Sequence, residues 1–94
     1  MKPLTKAIED YLALRRSLGF KLRSAGVALM NFAAFMEQQQ ARSITTRLAL
    51  AWAQQPRDAQ PALWAQRLSF VRGFARHHVA TYPLSEVPPP GLLP

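Results

Sequence analysis

The 94-residue chain contains no cysteine, which excludes a disulfide scaffold and any thiolate metal site. It has two histidines, His77 and His78, adjacent in sequence and too few for a structural zinc centre, so neither metal nor cofactor is expected. Acidic residues are scarce: 5 Asp+Glu stand against 12 Lys+Arg, which leaves a net charge of +7. Such an excess suggests a polyanionic partner, nucleic acid or an acidic membrane surface. No apolar run approaches the roughly 18 residues of a membrane span, and Met1-Lys2-Pro3 does not open a signal peptide. The expectation is a soluble, intracellular, basic domain with no membrane partner. The four glycines are isolated, so no glycine-rich phosphate loop exists.

β-Branched residues are few as well. Val, Ile and Thr together supply 10 residues, whereas Ala and Leu supply 28. Ala and Leu lose little freedom in a helix, and strands favour the residues that are missing. Five of the eight prolines follow Tyr82. These features predict an all-α fold, a compact bundle of four main helices over residues 1–81, with an extended Pro-rich tail over 82–94.

Apolar spacing places the helices. Leu4, Ile8, Tyr11, Leu12, Arg15 and Leu18 predict a first helix that stops at Gly19. Ser24 is the expected N-cap of a second helix reaching Gln40, with Ala25, Ala28, Leu29, Phe32, Phe35 and Met36 inward. Thr45 or Thr46 caps a short third helix that ends before Pro56, with Ile44 and Ala49 placed as a hydrophobic staple. Pro61 opens a fourth helix toward Ala80, whose apolar face is Trp64, Leu68, Val71, Phe74, Ala75 and His78. The tail run Pro88-Pro89-Pro90 favours a polyproline-like backbone, read either as a tether or as a mobile end.

Catalytic chemistry is not evident. The five carboxylates are scattered, and Glu9 and Asp10, being neighbours, diverge by about 100° on a helix. A chain this small also has little room for a substrate cleft of about 300 Å³ or more. No catalytic residue is expected.

Arg67-Leu68-Ser69-Phe70-Val71-Arg72-Gly73-Phe74 resembles the R-L-S-x-hydrophobic-R-x-F signature of tyrosine recombinases, or phage-type integrases. Leu29-x-x-Phe32-x-x-Phe35-Met36 is similar to a second run of that family, and Leu14-Arg15-Arg16-Ser17-Leu18-Gly19-Phe20 to its first helix and turn. The resemblance spans about residues 4 to 94 and implies the N-terminal core-binding, SAM-like domain. It further implies a DNA-binding module for recombination and integration, with its second and fourth helices crossing duplex DNA. The implied partners are double-stranded DNA and recombinase protomers assembled on it; the isolated domain would be monomeric, in a prokaryotic cytoplasm. The family's tyrosine nucleophile and its Arg/Lys/His set lie in a separate domain, and neither Tyr11 nor Tyr82 stands in such a motif. The tail resembles the linker toward that absent domain. The family often carries Thr and Tyr early in the second helix, where this chain has Ala25 and Ala28, which removes hydroxyl contacts from that turn.

The residues fit DNA on their own terms. Lys21, Arg23 and Ser24 cluster where exposed amides and a positive dipole end favour phosphate. The same three equally describe a capped helix start flanked by solvated cations. On the fourth helix Gln66, Ser69, Gly73, Arg76 and His77 share the side opposite the apolar face, with Arg72 nearer its border. Short Ser69 and Gly73 would let a groove wall approach, while Gln66, Arg76 and His77 can bond bases or phosphates. A merely solvated polar face is the alternative. Two other functions remain open: a basic helical protein-interaction module, and a regulator of the helix-turn-helix type.

Overall fold

A computed structural model describes residues 3–93, and within them the chain is all-helical. The helices are α1 (Pro3–Ser17), α2 (Arg23–Gln38), α3 (Thr46–Ala53) and α4 (Pro61–His78). Two compact units result, residues 1–41 with α1 and α2, and residues 42–94 with α3 and α4.

In the first unit, Ile8, Leu12, Ala25, Leu29, Phe32, Ala33, Phe35 and Met36 are buried. Leu18 falls off this stripe and is 65% exposed, because the helix has already ended at Ser17. Gly19 (φ 100°) supplies the left-handed turn that closes α1. Its amide bonds the Arg16 carbonyl at 3.0 Å and the Phe20 amide bonds that of Arg15 at 3.2 Å, the double closure of a Schellman motif. The Arg15 guanidinium lies 4.2 Å over the Phe20 ring, where an apolar pair usually seals such an end.

Ser24 is not the N-cap of α2. That position belongs to Leu22, in the left-handed region at φ 53°, and Ser24 is the second residue inside the helix. The cause lies in the connector. Arg16 donates from Nε to the Lys21 carbonyl at 3.1 Å and reaches the Leu22 carbonyl at 3.5 Å, holding the cap two residues ahead of the serine. α2 also ends two residues early, at Gln38. Gln40 takes the left-handed conformation (φ 53°), and the amides of Gln40 and Ala41 bond the carbonyls of Glu37 and Met36.

The second unit follows its caps closely. Thr45 Oγ1 accepts the Leu48 amide at 3.1 Å, and Ile44 and Ala49 are both fully buried, as a staple requires. Pro61 stands at the start of α4, where no amide donor is needed. Trp52, Leu68, Val71, Phe74 and Ala75 form the buried centre. Trp64 is only half-buried, since its Nε1 reaches out to the Pro56 carbonyl at 2.7 Å.

The proline-rich segment is fastened rather than loose. Ser85 Oγ accepts the Ile44 amide at 3.1 Å, and the Glu86 amide returns a bond to the Ile44 carbonyl at 2.8 Å. The Glu86 carboxylate accepts the Thr46 amide at 2.9 Å, satisfying the first turn of α3. Ser85 and Pro88 are buried. Residues 85–89 thus complete the second unit, a role that composition does not disclose. Polar Ser85 and Glu86, alone among prolines and aliphatics, were the available signal.

Gln40 generates a test of the first unit. A left-handed conformation costs a residue with a side chain about 1–2 kcal/mol, which glycine avoids at some entropic cost of its own. Replacing the exposed Gln40 by Gly is expected to stabilise the protein by about 0.5–1 kcal/mol, read as a raised urea midpoint at unchanged m-value.

Candidate nucleic-acid interface

The candidate residues divide between the two units. Lys21, Arg23 and Ser24 lie in the first, and all three are exposed. Arg23 and Ser24 are the first two residues of α2, so their amides precede the first intrahelical bond, which the Gly26 amide makes to the Leu22 carbonyl at 2.8 Å. The loss of Ser24 as a cap leaves its hydroxyl beside those amides. Three donors of the first turn and two cations therefore face the same end of the helix.

The other five lie on α4 in the second unit. Gln66, Ser69, Arg76 and His77 are exposed, and Gly73 between them is half-buried. The opposite side of the helix carries the buried residues Leu68, Val71, Phe74, Ala75 and His78. This separation follows from the 100° step of a helix, on which residues at i, i+3 and i+4 share a side. A strip bearing one guanidinium, one imidazole, one amide and two short residues is a surface able to meet base edges and phosphates.

Arg72 belongs to a different environment. It is half-buried, and it donates from Nε to the Pro88 carbonyl at 2.9 Å and from a terminal nitrogen to the Pro89 carbonyl at 3.1 Å. Arg67, the first residue of the signature run, is likewise internal. Its guanidinium lies 3.8 Å above the Trp52 ring and donates to the Trp52 carbonyl at 3.0 Å. Desolvation by burial lowers the pKa of Arg67. Far above neutrality, that pKa keeps the charge all the same. Periodicity put both arginines near the apolar border, but could not say that tail carbonyls and an indole ring would take their heads.

Among the described residues, two of the shallow hollows lie beside candidate residues. One, of about 490 Å³, is bounded by Ala59, Gln60, Ala62, Leu63 and Gln66 at the start of α4. The other, of about 820 Å³, runs between α1 and α2 over Leu12, Ala13, Gly26, Val27 and Met30, with Glu9, Arg16 and Arg23 at its rim. Neither sets a nucleophile beside a base. Among the described residues no cluster of three His, Asp or Glu could hold a metal ion, and no helix is long and apolar enough to cross a membrane.

Over its whole length the chain is 51% identical to a protein of Sinorhizobium fredii described as "Putative integrase/recombinase y4rB", of which it spans 30%. The likeness is to the N-terminal part of that protein and supports a recombinase-type domain. No family model matches the chain, and no solved structure matches it.

His78, below the exposed strip, generates a pH test. Its ring stacks between Phe74 at 4.9 Å and Tyr82 at 4.6 Å. Burial, and to a lesser degree the neighbouring His77, pushes its pKa below the ordinary imidazole value. The unfolded chain then takes up a proton at about pH 6.5, before the folded one does. The stability contributed is complete above that pH and is lost as pH falls from there through the folded pKa. Urea midpoints measured from neutral to mildly acidic pH are expected to decline, and His78→Phe, which keeps the stack, is expected to flatten the decline.

Proposed function

Taking the recombinase likeness as premise, we propose that the chain is the DNA-binding module of a site-specific recombinase, gripping duplex DNA through the start of α2 and the exposed strip of α4. The observation that carries the reading is the division of α4 into a buried face and an opposite face with Arg76 and His77 exposed beside Ser69 and Gln66. Lys21, Arg23 and Ser24 supply phosphate contacts from the first unit. Arg76 and Gln66 are the residues with the reach and donor geometry for base edges, and Ser69 with Gly73 allows close approach. Arg72 lies at the margin of this surface, engaged with the tail.

The chain binds and does not cleave. Neither tyrosine stands in the family's nucleophile motif: Tyr82 is stacked on His78, and Tyr11 is half-buried on α1. On this reading catalysis would fall to a separate domain, toward which residues 82–94 would lead once 85–89 have packed on the second unit. Recombinase protomers bound to neighbouring sites are the protein partners. The hollow between α1 and α2, floored by Leu12 and Gly26 and edged by exposed Val27, suits such a contact better than it suits a small molecule.

Binding is expected to be weak and steeply salt-dependent. Neutralising about four to six phosphates gives a log–log salt slope of roughly −4 to −5, with affinity near the micromolar range of non-specific complexes. A fluorescence titration of an unrelated duplex at several salt concentrations measures this, and affinity indifferent to salt would overturn the proposal.

The faces of α4 are tested by a pair of substitutions. Arg76→Ala is expected to weaken DNA binding by about 1–3 kcal/mol if the side chain bonds a base bidentately, with thermal stability almost unchanged. Phe74→Ala removes a fully buried ring and is expected to cost about 3–5 kcal/mol of stability. Sharp destabilisation by Arg76→Ala with intact affinity would mean that the DNA surface lies elsewhere.

A further inference from the structure

We propose that Arg72 couples DNA binding to release of the tail: its guanidinium holds the Pro88 and Pro89 carbonyls in the free protein, and an arriving backbone phosphate takes it over. The inference rests on the DNA reading of α4 and adds a consequence to it.

The position of Arg72 is what makes the exchange possible. At 100° per residue it stands about 40° around the helix from Arg76 and about 60° from Ser69, at the edge of the exposed strip rather than behind it. Its present partners are two neutral carbonyl oxygens, at 2.9 and 3.1 Å. A phosphate oxygen is an anionic acceptor, and it adds charge pairing and bidentate geometry that two neutral carbonyls do not offer a guanidinium. A phosphate reaching the margin of α4 therefore offers Arg72 a better partner within one side-chain rotation.

The remainder of the segment is held independently. Ser85 Oγ and the Glu86 amide are bonded to Ile44, and the Glu86 carboxylate to Thr46, so they stay when Arg72 lets go. Pro88 is buried and also stays, so release is confined to the exposed chain from Pro89 onward, where Gly91 (φ 81°) makes a further turn. DNA then changes the direction in which the tail leaves the second unit, which itself stays folded. The coupling is reciprocal by thermodynamic necessity: whatever loosens the tail in advance frees Arg72 and strengthens DNA binding.

The test uses the full chain and a short duplex of unrelated sequence at low salt, followed by NMR. Expected are a shift of the Arg72 Nε–H resonance and reduced order at the Gly91 and Leu92 amides, alongside shifts at Arg76 and His77. Shifts at Arg76 and His77 with Arg72, Gly91 and Leu92 unchanged would overturn the coupling and leave the DNA reading standing. No shift anywhere on α4 would overturn both. One charge-neutral variant reads the reciprocal effect, Pro89→Gly, with folding verified by circular dichroism. It is expected to tighten DNA binding by about two- to fivefold, the scale of a glycine-for-proline loosening passed through full coupling. Pro89 is exposed, so the substitution leaves the packed core in place. Unchanged affinity in a folded variant would overturn the proposal.

Discussion

The guanidinium of Arg67 stacked on Trp52 is the contact on which the second unit depends. α3 is only eight residues long, too short to persist alone, and is stabilised by what surrounds it. Trp52 is its largest buried side chain. Arg67 covers the indole from α4 and also bonds the Trp52 carbonyl, one of the last acceptors of α3. One side chain thus supplies both apolar cover and a helix-end partner. With α3 fixed in this way, α4 keeps a defined rotation, and its outward strip is defined in turn.

The same economy runs through three other arginines. Arg16 shapes the connector before α2, Arg15 covers Phe20, and Arg72 gathers the tail. An arginine is suited to this because its stem packs while its planar head bonds several carbonyls at once. The positive charge of the chain is therefore not all surface charge awaiting a polyanion. Part of it is structural, and the cations of the proposed interface, Lys21, Arg23 and Arg76, are among those that the fold leaves exposed.

Much of the fold was legible in the sequence because its signals are local. Gly19, Thr45 and Pro61 announce helix ends through backbone chemistry that involves only their neighbours, and each stands where that chemistry places it. The alternation of buried and exposed residues on α4 follows from spacing alone. What failed to be legible depends on distant partners. Ser24 is a good cap by type, yet an arginine seven or eight residues away decides where α2 begins. Arg72 reads as a cation at the border of the apolar face, and spacing does not disclose that Pro88 and Pro89 are folded back on it. Prolines suggest an extended strand, but their carbonyls remain strong acceptors, and a composition argument counts residues, not lone pairs.

The bonds between residues 85–86 and residues 44–46 span forty positions of sequence. Since the amides of Ile44 and Thr46 draw their acceptors from Ser85 and Glu86, the two segments form one inheritable unit. A descendant that trimmed the proline-rich end would inherit an α3 lacking its anion and a buried Ile44 amide lacking its oxygen. Because the groups at 44 and 46 are main-chain, substitution there leaves the bonds intact, whereas shortening the protein from that end would require a replacement acceptor to arise first near Ile44.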